Sequence, residues 1–316
     1  MDVLSDTMAA LRTGRPYSAL AERQGQWRTD IAPFAGAGFH IVLRGTCRLI
    51  PSPGGGEPVV LTAGDAVFLP HGTAHALTDD CGAPAVLLCG AYRLEKARAH
   101  PLLGDFPEVI LLPARPGRHA ALTSVITLLG DELGTHGRPG TDATLPALLE
   151  LLIVHLLRAW YEERTAGRAG AAVTGWCAAL ADPAVGAALR ALHHDPAKPW
   201  TVAGLATLAG LSRATFARRF AGLVGRPPLA YLTWWRLTLA ARLLRESDAP
   251  LAAVAQRIGY TSQFAFAHAF KREYGLSAGR YRRERRDDHE HMNDPGWEIP
   301  GRPDPAQWHA VGRERT

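Results

Sequence analysis

The sequence predicts a two-domain α+β protein: an antiparallel β-barrel with attached helices, then an all-α domain of two tandem helix-turn-helix motifs. Three observations predict it. The segment Leu205–Phe220 recurs as Val254–Phe270. Identical pairs are Ala206/Ala255, Gly210/Gly259, Ser212/Ser262, Phe216/Phe266, Ala217/Ala267, Phe220/Phe270 and, just beyond, Gly225/Gly275. Basic charge collects around this repeat. Asp182–Arg286 holds 17 Lys+Arg against 6 Asp+Glu, a balance of +11, while the other residues hold 18 against 24, or −6. Ahead of the repeat, short apolar runs alternate with turn residues about every ten residues, the pattern of a small barrel or sandwich.

Residues 1–115 read as β-rich. The runs Phe39–Leu43, Cys47–Ile50, Val59–Thr62, Ala66–Leu69, Ala74–Leu77 and Ala85–Cys89 are broken by Gly, Pro and Asp. Pro51–Pro58 is a loop by composition. Two helices follow within 116–168. Leu122, Val125, Ile126, Leu129 and Leu133 keep helical spacing. From Leu145 to Trp160 the apolar set covers most of the helix circumference, so cover must come from more than one side. A second copy of the chain supplies such cover, which makes 116–168 the expected homodimerisation and linker region. Thr165–Gly175 is small and Gly/Ala-rich, a linker composition. The stretch 287–316 is polar and aperiodic, as expected of a disordered tail, and its His289-Glu290-His291 is read as solvated rather than metal-binding.

The segment 175–286 carries the repeat. Asp182-Pro183 opens a helix with a capping side chain and a proline at the first helical position. Thr201 caps the first helix of copy one, Gly210 takes the left-handed turn, and Ser212 caps the next helix. Phe216, Phe220 and Leu223 point inward there, leaving Arg213, Ala214, Ala217, Arg218 and Ala221 outward. In copy two Ser262 caps, Phe266 and Phe270 anchor, and Gln263, Phe264, Ala265 and His268 face out, with Lys271 and Arg272 near phosphate. Outward faces of such second helices enter the major groove of DNA. Arg reads guanine there, Gln reads adenine, and an apolar ring touches a thymine methyl. Between the copies Pro228–Arg245 is one helix, with Leu229, Leu232, Trp235, Leu239 and Leu243 on its packed side. It is roughly 27 Å long, of the order of the about 34 Å between successive major grooves on one DNA face. Trp234 and Trp235 are expected in the core.

Residues 182–286 resemble the DNA-binding domain of the AraC/XylS family of transcriptional regulators. The resemblance is carried by Leu205-Ala206, Gly210-Leu211-Ser212-Arg213, Phe216–Phe220, Gly225–Tyr231, Arg236, Ala240–Leu244, Val254-Ala255, Gly259-Tyr260, Ser262, Phe266, Ala269-Phe270-Lys271 and Gly275. Three positions depart from the family pattern: Thr261 where an acidic residue is common, His268 where Arg is common, and Ala278 in place of a proline that copy one keeps as Pro228. The departures predict that copy one carries most of the base reading, and copy two affinity and register.

Gly64-Asp65-Ala66-Val67-Phe68-Leu69-Pro70-His71-Gly72-Thr73-Ala74-His75 fits Gly-x5-Pro-x-Gly-x2-His and resembles the second motif of cupins. The upstream His-x-His and Glu of metal-binding cupins is not intact, and His40 stands near where the Glu is expected. With Phe39–Gly45, Cys81-Gly82 and Leu88-Cys89-Gly90, the segment resembles the cupin-type sensor domain found on AraC-family proteins. His40 and His75 are candidates for an effector or metal site. With Cys47, Cys81 or Cys89 they form a soft donor set suited to Zn or another transition metal, which needs three or four ligands. Against that stands a pair of hydrogen-bonded lining histidines. Cys81 and Cys89, on either side of a short turn, are candidates for a redox pair.

Hydrophobic residues make up 47% of the 316, enough for a core in each of about two domains. The start lacks a basic segment followed by an apolar one, four cysteines form no dense framework, and no unbroken 18-residue apolar run occurs. A cytoplasmic protein without a membrane span is expected. The expected function is a sequence-specific transcription regulator, not an enzyme. It binds promoter DNA, works as a homodimer with RNA polymerase, and answers to a small molecule, metal or redox signal in its cupin-like part. The alternative is a metal-dependent cupin enzyme fused to a DNA-binding region.

Overall fold

The computed structural model describes residues 3–11, 16–52, 56–94, 104, 106–115, 117–135, 138–166 and 175–290. They form two compact units. One takes in the described residues within Arg15–Arg93 and Pro107–Trp160; the other takes in those within Met1–Gly14, Leu94–Phe106 and Tyr161–Asn293.

In the first unit nine strands pair antiparallel: β1 (Tyr17–Arg23), β2 (Trp27–Ile31), β3 (Gly36–Arg44), β4 (Thr46–Pro51), β5 (Val59–Thr62), β6 (Ala66–Leu69), β7 (His75–Asp79), β8 (Ala85–Arg93) and β9 (Ile110–Leu112). They make a five-stranded sheet in the order β1-β8-β3-β6-β9 and a four-stranded sheet in the order β2-β7-β4-β5. The expected barrel is therefore two sheets that do not close on each other. The connections explain it. From β1 to β8 every step along the chain changes sheet except the β4–β5 hairpin, so consecutive strands do not extend one ladder around a barrel. Inward-facing Val42, Leu49, Leu61, Val67, Leu69, Leu77 and Leu87 share one core with Cys47 and Cys89. Six strands fall where the apolar runs predict them. β1, β2 and β9 are additional; they are short or carry exposed polar positions, which hides their alternation.

Two helices complete this unit, α2 (Ala120–Gly134) and the Thr141–Trp160 part of α3 (Thr141–Ala166). Leu122, Val125, Ile126 and Leu129 are buried on α2 as their spacing predicts. Thr141–Arg164 is long and apolar enough to cross a membrane, with a mean hydropathy of 1.5, although scattered polar residues interrupt any unbroken apolar run. Its Leu149, Leu152, Ile153, Leu156 and Leu157 are nonetheless at most 2% exposed, and the Tyr92 hydroxyl of β8 donates to the Leu149 carbonyl at 2.5 Å. That is how a core helix is held.

The second unit is helical: α1 (Val3–Leu11), α4 (Gly175–Ala181), α5 (Pro183–His194), α6 (Val202–Leu208), α7 (Arg213–Val224), α8 (Pro228–Glu246), α9 (Leu251–Arg257), α10 (Gln263–Tyr274) and α11 (Ala278–Glu290). The helix α1 lies outside the β-rich reading of 1–115. It rests against α5 and α8 with Val3 and Thr7 buried. The central α8 is buried more widely than one stripe. Tyr231, Leu232, Trp234, Trp235, Leu237, Ala240, Ala241 and Leu244 are covered, while Leu229 is exposed. A helix shared by two motifs needs two apolar faces, and a single-face reading misses the second. The helix α11 runs to Glu290, into the expected tail. His291 and the rest of the tail lie outside the described residues, as do the middles of the Pro51–Pro58 loop and the Thr165–Gly175 linker.

Candidate DNA interface and the interior of the sandwich

Each helix of the repeat begins with a side-chain cap or a proline. The Asp182 carboxylate accepts from the Ala184 and Val185 amides at 3.0 and 2.9 Å. The Thr201 hydroxyl accepts from Gly204 N at 3.0 Å. Ser212 accepts from Thr215 N at 3.3 Å, and Ser262 from Ala265 N at 3.4 Å. Pro250 precedes α9. Gly210 and Gly259 take φ of +64° and +85° at the two motif turns, where a Cβ is strained.

These caps aim α7 and α10. On α7, Phe216 and Phe220 are fully buried with rings 5.6 Å apart. Arg213, Ala214 and Arg218 are exposed on the other side and Ala217 is half-buried. Arg219 turns away from that face. Its Nε lies 2.7 Å from Asp182 Oδ2, and its Nη2 also bonds this carboxylate. Burial pulls the Asp182 carboxyl upward, but the Val185 amide, Arg219 and the Ala184 amide outweigh it and hold the group below its ordinary value. On α10, Phe266 and Phe270 are fully buried with rings 5.7 Å apart, and Phe270 stacks on Tyr274 at 4.4 Å. Gln263, Phe264, Ala265, His268, Lys271 and Arg272 are exposed. Phe264 is 88% exposed.

Two ties fix the helices around α8. His193 stacks on Trp235 with centroids 4.0 Å apart, and its Nε2 lies 2.7 Å from the Tyr231 hydroxyl. Its Nδ1 lies 3.6 Å from Asp6 of α1. Arg236 donates from Nε to the Pro196 carbonyl at 2.6 Å and from Nη2 to the Lys198 carbonyl at 2.9 Å. This strap before α6 also crowds the turn of copy two, where a Cβ on Gly259 would come within 2.6 Å of the Ala197 carbonyl.

In the sandwich the glycine-proline motif is spent on architecture. Gly64 and Gly72 take φ of +92° and +57°. Asp65 accepts from Thr62 N at 2.8 Å and Ala114 N at 2.7 Å. His75 points inward, and its Nε2 lies 2.7 Å from His40 Nε2. Both rings are buried, at 5% and 3% exposure. His75 Nδ1 lies 2.8 Å from the Thr73 carbonyl, which can only accept, so Nδ1 carries the His75 proton and Nε2 is bare. His40 must then donate from Nε2. That leaves its buried Nδ1 as a bare lone pair, which has no hydrogen-bond partner. Burial first, and His75 second, hold His40 well below its ordinary pKa; burial lowers His75 as well, against the Thr73 bond.

Comparison with known proteins agrees with both halves. A cupin family model matches residues 2–162 and a helix-turn-helix domain model matches 205–284. A putative AraC-like transcription regulator of Streptomyces antibioticus is 36% identical over 306 residues, covering 90% of this chain and 99% of that protein. The chain belongs to the AraC-like transcription regulators. The RCS-specific HTH-type transcriptional activator RclR of Escherichia coli (strain K12) is 30% identical over 249 residues, covering 77% of this chain and 83% of RclR. The solved DNA-binding domain of AdpA, in complex with a target DNA, is 37% identical and covers 35% of this chain and 98% of that one, with a TM-score of 0.33.

The cupin match raises the question of a metal in this AraC-like regulator. Two imidazole nitrogens 2.7 Å apart are hydrogen-bonded. Tetrahedral ligands each about 2.0–2.1 Å from a Zn ion would stand roughly 3.3 Å apart. Among the described residues no three of His, Cys, Asp or Glu gather to hold a metal. The residues present do not fit a resident transition metal. The two candidate redox cysteines are placed differently. Cys81 is exposed after β7, whereas Cys89 is 3% exposed in the core beside His40, its partner across the β3–β8 ladder. Cys47 shares that core with Cys89. Burial pushes both inner thiols up to about 12. Sequence reasoning missed the Asp6–His193 pair and the Arg219–Asp182 tie, because neither follows from helical spacing.

Proposed function

We propose that this AraC-like regulator sets α7 and α10 into successive major grooves of one promoter duplex. Arg213, Ala214, Ala217 and Arg218 face the first half-site, and Gln263, Phe264, Ala265, His268 and Lys271 the second. One observation carries the reading: two capped helices, one before and one after α8 in the chain, are each pinned from behind by a buried phenylalanine pair and leave polar and basic side chains exposed on the other face. The helix α8 has 19 residues, about 28 Å, close to one turn of DNA. The +11 balance of this segment supplies the attraction to phosphate. Selection of duplexes from a random-sequence library by the full chain tests it. One consensus with two half-sites about a helical turn apart is expected, and indiscriminate retention contradicts the reading.

In this proposal the regulator acts in the cytoplasm as a homodimer, engages RNA polymerase, and catalyses no reaction. The signal enters at the sandwich interior, where His40, His75 and Cys89 sit among aliphatic side chains. That RclR is named RCS-specific supports a chemical signal of this kind. Oxidant titrations of promoter binding by the natural chain, Cys81→Ser and Cys89→Ser test a redox signal: loss of the oxidant's effect in both variants supports that pair, and an intact effect in both excludes it.

A further inference from the structure

Phe264 has no role in holding the fold. At 88% exposure it is the most exposed large apolar residue among those described, ahead of Val60 at 64%. Phe216, Phe220, Phe266 and Phe270, the other phenylalanines of the repeat, are all at 0%. It stands second in α10, after Gln263 and the Ser262 cap, at the N-terminal end that reaches base edges in a helix-turn-helix. Its neighbours favour nucleic acid over a protein surface. Gln263 precedes it, His268 lies one turn on along the same face, and Lys271 and Arg272 follow, all exposed. Ala265 beside it is small and exposed, which leaves the ring room to approach a surface. The corresponding residue of copy one is Ala214, whose methyl group reaches much less far.

An apolar ring has one partner in the major groove, the C5-methyl of thymine, since every other base edge there offers donors and acceptors. We infer that Phe264 makes the second half-site specific for thymine by covering that methyl group. The inference rests on the proposed placement of α10 in the major groove. It gives the two helices different alphabets, with Arg218 addressing guanine in one half-site and Phe264 addressing a T·A pair in the other.

The test uses the full chain and duplexes selected from a random library. Each selected thymine is replaced singly by deoxyuridine, which removes the methyl group and keeps the hydrogen-bonding edge. Burying one methyl corresponds to about a four-fold change in affinity. One thymine of the second half-site should show about that loss with the natural chain and almost none with Phe264→Ala. Phe264→Leu, which keeps an apolar side chain, should restore part of the difference. Three results overturn the inference: no invariant thymine in the second half-site, an equal deoxyuridine effect in natural and Phe264→Ala chains, or an unchanged consensus after Phe264→Ala. The last leaves the exposed ring outside the base readout. If the natural chain shows no sequence preference at all, it is the placement of the helices on DNA that fails.

Discussion

The two helix-turn-helix copies share their skeleton and differ at almost every position that is free to differ. Caps, turn glycines and buried phenylalanine pairs coincide at Ser212/Ser262, Gly210/Gly259, Phe216/Phe266 and Phe220/Phe270. Most outward residues do not: Ala217/Ala267 coincides, but Arg213 faces Gln263 in the alignment, Ala214 faces Phe264, and Arg218 faces His268. The supports differ too. Copy one is tied to α5 through Arg219 and Asp182, whereas the matching residue of copy two, Ala269, is simply buried. Copy two instead has its turn pressed against the strap that Arg236 holds. A repeated frame is kept by packing, while its two surfaces are free to take on different tasks.

The turn glycines offer the largest contrast. At Gly210 a Cβ would meet nothing within 4 Å, so Gly210→Ala should cost only the left-handed strain, about 1 kcal/mol. At Gly259 the Cβ would strike the Ala197 backbone as well, so Gly259→Ala should cost roughly 2–4 kcal/mol. Denaturant unfolding of the full-chain variants measures both, and equal losses would show that the strap does not lock the second motif. On DNA, Arg218→Ala should weaken specific binding by about 1–3 kcal/mol and relax one guanine position. His268→Ala should cost less than about 1 kcal/mol, because the ring is exposed and carries no second planar donor. Titrations against the selected duplex rank the two, and the reverse order would make copy two the main reader.

Acid provides the smallest contrast. The Asp182 carboxyl is held below its ordinary value in the folded chain. Its contribution is therefore present above the unfolded value of about 3.9 and is lost as pH falls through the folded value. Copy two has no equivalent at Ala269. Amide exchange in α7 should rise before that in α10 as pH falls below about 4. Simultaneous loosening would mean the Arg219–Asp182 tie adds nothing measurable.

Local signals made much of the fold legible. Caps, turn glycines and spaced phenylalanines announced α5 to α7 and α9 to α10, because each is a short-range pattern with one physical meaning. Tertiary facts were not legible. The helix α1 has no strong period, and its place beside His193 depends on residues almost two hundred positions away. Leu229 looked like part of a packed stripe but is exposed, since α8 is covered on two other faces. His40 and His75 read as candidates for an effector or metal site, yet Asp65 and the glycines of the motif serve the turns and His75 Nε2 accepts from His40. The exposure of Phe264 was visible only as an outward position, and the structure adds that nothing shields it.

In the proposed function two unlike recognition helices hold one duplex in a fixed register. Hydroxyl-radical footprinting of the full chain on the selected duplex, with and without five base pairs inserted between the half-sites, tests it most directly. Two protected patches about one helical turn apart are predicted, and the insertion should abolish the one at the second half-site while leaving the first. A single patch on the original duplex, or two patches that survive the insertion unchanged, would mean that the two helices do not hold a fixed register.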